Sequence, residues 1–153
     1  MILKTSKPST VFFIAILIIS IGSCKKAPIK LKSDLIASEY KKIQLETGLT
    51  DNGVPIKASN WSVEYVKDAV SGKMLQDKAG KQMVLNTFGT VEESTGWLKL
   101  EKKEQNNLLN ISLKENFAAD PRKFLIGILA DGKRDELSFT QTRGEGYSIV
   151  DKE

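Results

Sequence analysis

The sequence predicts an all-β domain, built as an antiparallel sandwich or barrel and preceded by an export signal. Three observations carry this. Apolar and polar residues alternate with period two in several short runs, clusters of turn-forming residues separate those runs, and nothing long and helical interrupts them. Strands returning about every 8 to 12 residues are the pattern of sandwiches and barrels. The lack of intervening helices disfavours a parallel α/β sheet, and no repeat of solenoid or propeller length is visible.

The first segment is an address. Lys4 and Lys7 form a basic n-region, Val11 to Ile21 is apolar except for Ser20, and the small residues Gly22 and Ser23 precede Cys24. The apolar run is about half of the ~20 residues needed to cross a bilayer as a helix, which favours a signal peptide over a permanent span. From Lys25 to about Glu39 the chain is polar and Lys-rich, with Pro28, as expected of a tether. Leu35, Ile36, Tyr40 and Ile43 are spaced like one face of a short helix over 33–42, with Ser33 and Asp34 at its start.

Next come the strands. Trp61, Val63 and Tyr65 alternate with Ser62 and Glu64, and this face is expected inside. Leu109, Ile111 and Leu113 follow the same rule, as do Phe124, Ile126 and Ile128, and then Leu137 and Phe139. Leu125 and Leu129 flank Gly127 on the second face, the pattern of a central strand lying under a further layer. Asp51-Asn52-Gly53, Ser71-Gly72-Lys73, Ala79-Gly80-Lys81, Asn106-Asn107 and Asp120-Pro121 read as turns. The last hairpin is expected to run from Phe124 to Ala130, turn over 131–135 and return from Glu136 to Gln141. Residues 68–94 are expected to form an extra hairpin or long loop.

Composition removes several functions. The 153 residues include one Cys and no His. That excludes Ser-His-Asp and Cys-His nucleophile pairs, an HExxH zinc site, an internal disulfide and a thiolate zinc cluster. Losing Lys4 and Lys7 with the signal lowers the net charge of +4 by two. Both signs are mixed along the chain, as in Lys133-Arg134-Asp135-Glu136, so no nucleic-acid partner is expected. Gly144-Glu145-Gly146 lacks the third glycine of a dinucleotide loop, no phosphate-binding or nucleophile-elbow motif occurs, and no cofactor is expected. The carboxylate pairs Glu92-Glu93 and Asp135-Glu136 lie in polar segments that read as solvated loops, which argues against a glycosidase pair. Asp131 to Glu136 offers oxygen ligands for calcium, yet Lys133 and Arg134 would repel the ion, so it reads as a charged hairpin tip and no metal site is expected.

Two resemblances add to this. Ile21-Gly22-Ser23-Cys24 resembles the lipobox of bacterial lipoproteins, with Ile and Gly where Leu and Ser or Ala are usual. It implies cleavage between Ser23 and Cys24, a diacylglycerol on the Cys24 sulfur, and membrane attachment. Lys25 in place of an aspartate implies the outer membrane of a Gram-negative envelope. The only cysteine of an exported chain thereby stands where acylation would consume its thiol.

The second resemblance lies further on. Trp97-Leu98-Lys99-Leu100, Leu109 to Leu113, Glu115-Asn116, Arg122 before Phe124 to Ile128, and Leu137 to Gln141 resemble, in order and spacing, the BACON domains of Bacteroidetes envelope proteins, and Trp61 resembles their earlier tryptophan. The resemblance implies an immunoglobulin-like antiparallel β-sandwich that binds carbohydrate or acts as a spacer. This chain departs from it in the 68–94 insertion and in having no catalytic neighbour. The resulting division is a signal peptide over 1–23, a lipidated tether over 24–44, a sandwich over 45–143 and a tail over 144–153.

The expected function is that of a non-catalytic envelope lipoprotein, either binding a glycan or protein or serving as an accessory to a protein partner. Tyr40, Trp61, Tyr65, Phe88 and Tyr147 are the aromatics considered for a sugar platform. Phe88, in the insertion, and Tyr147, past the last strand, are the ones expected to be exposed and to bind ligand. Trp97 is read as core, Asn116 as a local backbone binder and Arg122 as a cap on exposed carbonyls.

Overall fold

The computed structural model describes residues 34–45, 50–103 and 107–143; Ser23, Cys24 and Tyr147 lie outside them. Among these residues the strands are β1 (Lys42–Leu45), β2 (Thr50–Pro55), β3 (Trp61–Asp68), β4 (Gly89–Glu92), β5 (Leu98–Lys102), β6 (Leu108–Leu113), β7 (Arg122–Ala130) and β8 (Lys133–Gln141). They form two four-stranded sheets, ordered β1-β8-β7-β3 and β2-β6-β5-β4. Every pair is antiparallel except β1 with β8. The inner trios β8-β7-β3 and β2-β6-β5 have the G-F-C and B-E-D adjacency of an immunoglobulin-like sandwich.

Alternation does what it predicts in most strands. Leu98 and Leu100 of β5 and Leu109, Ile111 and Leu113 of β6 face Phe124, Ile126 and Ile128 of β7 and Leu137 and Phe139 of β8, all of them buried. Phe124 and Phe139 stack with centroids 5.0 Å apart, and Trp97 meets Phe124 edge-on at 5.4 Å. Trp97 is half-buried against this core.

Five expectations are corrected. The Trp61-Val63-Tyr65 face is split by an irregularity between Val63 and Tyr65, so Val66 takes the next inward position. An extra residue in a strand reverses the parity of everything after it. Tyr65 therefore lies on the outer face, where it covers Gly127. A Cβ on Gly127 would stand 2.3 Å from Tyr65 Cε1. This ring, with no further layer of strands, is what overlies the second face of β7.

The last hairpin is tighter than expected, since only Asp131 and Gly132 turn, with φ of 48° and 71°. Positive φ at both positions matches the right-handed twist of the flanking strands. Asp51-Asn52-Gly53 is strand β2 rather than a turn, because it pairs in register with Asn110 to Ser112 of β6.

No α-helix occupies 34–42, the described part of the helix expected over 33–42. Among the described residues a single 3-10 turn, Ser38–Tyr40, precedes β1. The backbone before it is committed to sheet bonding: Lys57 N–H donates to Leu35 C=O at 2.8 Å, and Ile36 N–H donates to Asp135 Oδ2 at 3.1 Å. Leu35 and Ile36 are buried, so the packed domain begins well before residue 45, within the stretch assigned to the tether. The chain thus starts on the β2 side and crosses at the turn to become β1 of the other sheet.

Of the two forms expected for the 68–94 insertion, the structure shows a hairpin, with Gln76 opposite Gln82. Leu75 N–H donates to Val66 C=O, Met83 N–H to Leu75 C=O, and Val63 and Leu85 exchange bonds of 3.0 Å. This segment covers the outer edge of β3 and buries Met83 and Leu85.

The Tyr65–Gly127 contact generates a prediction. Gly127→Ala should destabilise the protein by about 1–3 kcal/mol, as overpacking does, and much less in a Tyr65→Ala background. Urea midpoints of the four proteins measure this coupling; additive effects would show that the ring does not cover Gly127.

Candidate ligand-binding surface

The strands of the β2-β6-β5-β4 sheet turn one residue in two outward, and apart from Gly53, Pro55 and Leu108 those of β2, β5 and β6 are polar. Asp51, Lys99, Glu101, Lys103, Asn110 and Ser112 surround a cavity of about 310 Å³ together with Gly53. Gly53 lets the Leu108 side chain lie close over the strand; a Cβ there would come 3.1 Å from it. On one side Ser112 Oγ donates to Asp51 Oδ1. On the other, Glu101 Oε2 accepts from Asn110 Nδ2 at 3.5 Å and lies 3.7 Å from Lys103 Nζ. Donors and acceptors of both signs thus line one shallow recess, the chemistry that holds a hydroxyl-rich or zwitterionic ligand.

Sequence reasoning missed this groove because it attends to the buried half of each alternation. The signal was there in the outward half: Lys99, Glu101, Asn110 and Ser112 sit at alternate positions of their strands, and Gly53 stands inside a third.

Phe88 is 53% exposed, which agrees with the exposure expected of it. Its ring lies 5.2 Å from Lys102 Nζ, which also stands 4.6 Å from the centroid of the buried Trp61 ring and donates to the Trp61 carbonyl. Burial pushes the Lys102 ammonium below its ordinary value. Lys102 faces inward and Lys103, the next residue, lines the groove, so Phe88 meets the inner side of the end of β5 whose outer side borders the groove. The other aromatics considered divide: Trp61 is core, Tyr40 is half-buried against it, and Tyr65 is engaged with Gly127. Phe117, between β6 and β7, is 71% exposed and was not foreseen.

The carboxylate pairs are not both solvated. Asp135 is buried and accepts from Ile36 N–H and Glu136 N–H, with Lys41 Nζ at 3.0 Å. Glu136, its neighbour on β8, points to the opposite face, where it accepts from the Tyr65 hydroxyl at 2.6 Å and meets Lys67 at 3.3 Å. Adjacent residues of a strand diverge, so this pair cannot converge on one substrate atom. Glu93 is also buried. Burial alone would raise its carboxyl, but hydrogen bonds from Ser94, Thr95 and Gly96 together hold it below the ordinary value. Glu92 is bonded to Lys78 instead.

The two polar residues read as structural behave that way, and Gln141 joins them. Asn116, fully buried, donates to Asp120 C=O at 2.9 Å and accepts from Ala118 N–H at 3.2 Å. Arg122 donates to Lys114 C=O at 2.9 Å and to Gln141 Oε1 at 3.1 Å, and Gln141 Nε2 returns to the same Lys114 carbonyl at 3.0 Å. The Arg122 guanidinium lies 4.8 Å from the Trp97 ring.

No family model and no curated protein matches this chain. Among solved structures it is similar to a protein from Bacteroides thetaiotaomicron determined by NMR, at 18% identity and a TM-score of 0.51, over 78% of this chain and 92% of that one. At that identity the likeness establishes the sandwich fold.

A pH prediction follows from Glu93. Its folded carboxyl titrates below its unfolded value, so its stabilisation is present above about pH 4.3 and is lost as pH falls further. Between pH 5 and 3 the urea midpoint of the wild type should therefore fall more steeply than that of Glu93→Gln. Parallel curves would show that the turn at 93–96 does not depend on the ionised carboxylate.

Proposed function

We propose that this chain is a non-catalytic, BACON-like lipoprotein of the outer membrane. In this reading Cys24 is lipidated after cleavage at Ser23, and the sandwich stands off the membrane and binds a glycan. The observation that carries the binding reading is the polar groove around Gly53, with exposed Phe88 at the adjoining end of β5. Sugars are held by side-chain donors and acceptors that replace water and by an aromatic face that covers their C–H groups. Support for the anchor comes from the sequence: a basic, apolar, small-residue leader ending at the one cysteine.

A second reading, an accessory lipoprotein acting with a protein partner, is favoured by a separate observation. Val70, Met74 and Val84 of the insertion are exposed apolar side chains. The backbone bonds 75–83 and 77–81 put Met74 opposite Val84 on one face of the insertion. Paired exposed apolar residues are the usual mark of a protein contact.

Two measurements test the proposal. Palmitate labelling and membrane fractionation should both be lost in Cys24→Ala; unchanged labelling would end the lipoprotein reading. On a glycan array, Glu101→Gln and Phe88→Ala should each weaken the retained signals about tenfold or more, equivalent to about 1.4 kcal/mol. Silence of the wild type across the array would transfer the function to a protein partner.

A further inference from the structure

The four edges of the sandwich are treated unequally. The outer edge of β3 is bonded by the insertion, and β4 is a four-residue strand that opens on Gly89 at φ 135°. The remaining two, β1 and β2, are edges of opposite sheets that come together in one seam.

The bonding of β1 shows which of its groups are unused. Ser138 N–H donates to Lys41 C=O and Thr142 N–H to Leu45 C=O. In a parallel ladder alternate residues face the partner, so the backbone N–H and C=O of Lys42 and Gln44 point away from β8. On β2, Ile56 N–H donates to Asn107 C=O, which by the same alternation turns the backbone groups of Asp51 and Gly53 away from β6. Between the two rows lies a cleft of about 310 Å³, lined among others by Tyr40, Lys42, Ile43, Asn52, Gly53 and Val54. Asn52 Nδ2 is buried there with no hydrogen-bond partner. One end of the seam is closed where residues 35 and 36 bond to 56 and 57.

We propose that this seam takes up an extended peptide segment of a partner protein, which adds as a strand to the free edge of β1. The donors and acceptors of Lys42 and Gln44 match only a strand-like backbone, and Asn52 Nδ2 supplies one further donor for a peptide carbonyl. Ile43, half-buried at the cleft, gives an apolar contact for a side chain of the segment. Glu39 and Lys42, the charged residues of the cleft, are of opposite sign, so the complementary segment is uncharged where it crosses them. A buried amide without a partner is costly, and the incoming strand is what satisfies Asn52 Nδ2. Gly53 borders both this cleft and the glycan groove, but the edge of β1 belongs to the seam alone, while Lys99 and Glu101 belong to the groove on the outer face of the β2-β6-β5-β4 sheet.

The test is an amide NMR titration of the full chain in detergent with the capped heptapeptide Thr-Val-Thr-Val-Thr-Val-Thr. Shifts are expected at Lys42, Gln44 and Gly53 and at the Asn52 side-chain amide. Gln44→Pro removes an outward N–H while leaving the β8 ladder in place, and it should weaken binding at least tenfold; Asn52→Leu should weaken it about tenfold. If Gln44→Pro fails to fold, Asn52→Leu carries the test. Four results overturn the proposal: no shift at the seam, shifts confined to Lys99 and Glu101, seam shifts that change on dilution without peptide, or binding only by a chain ending at Arg143. The third would assign the seam to a second copy and the fourth to this chain's own C-terminal residues. Glycan retention by Gln44→Pro should equal that of the wild type, so failure here is distinguishable from failure of the glycan reading.

Discussion

Everything in this sandwich hangs on the β7–β8 hairpin. It is the longest pairing, running in unbroken register from Arg122 opposite Gln141 to Ala130 opposite Lys133, and its turn is two residues at positive φ. The stacked rings of Phe124 and Phe139 fix its inner face, a contact that adds roughly 0.5–1.5 kcal/mol to the burial of the rings themselves. β3 attaches to one side of the hairpin and β1 to the other, while Trp97, just before β5, reaches across to Phe124. At the open end, Arg122 and Gln141 share the Lys114 carbonyl and thereby tie the hairpin to the chain leaving β6. At the closed end Asp135 holds Ile36 and Lys41, which fastens the entering chain.

Once the hairpin sets the core, the exposed polar features follow from strand parity. An inward Leu98 and Leu100 impose an outward Lys99 and Glu101, and an inward Ile111 imposes an outward Asn110 and Ser112. The groove is therefore the unavoidable reverse of the core, given these sequences. At Gly53 the missing side chain makes room for Leu108, which lies against it at the border of the groove.

Much of this was legible in the residues because alternation reports burial directly. The β6, β7 and β8 cores, the inward Trp61 and Val63, and the roles of Asn116 and Arg122 are all visible without coordinates. What period two cannot register is an inserted residue, which is why Tyr65 was misplaced: the irregularity after Val63 has no compositional mark. Nor does turn composition outweigh pairing. Asp51-Asn52-Gly53 looks like a turn, yet it lies beside β6 and is bonded as a strand. Leu35 and Ile36 sit in a Lys-rich stretch that reads as a tether, and only their bonds to Lys57 and Asp135 reveal them as part of the core. The insertion is the clearest case, since the burial of Met83 and Leu85 depends on an edge of β3 that no local pattern announces.

Amide hydrogen exchange tests this account most directly. The slowest exchange should fall in β7 and β8, with Leu75 and Leu85 protected by their bonds to β3 and Met83 by its bond to Leu75, and with Lys42 and Gln44 exchanging freely beside a protected Ile43. Alternation of fast and slow amides along β1 would establish an edge bonded on one side only. Uniform protection of Lys42, Ile43 and Gln44, or rapid exchange throughout β7 and β8, would contradict it.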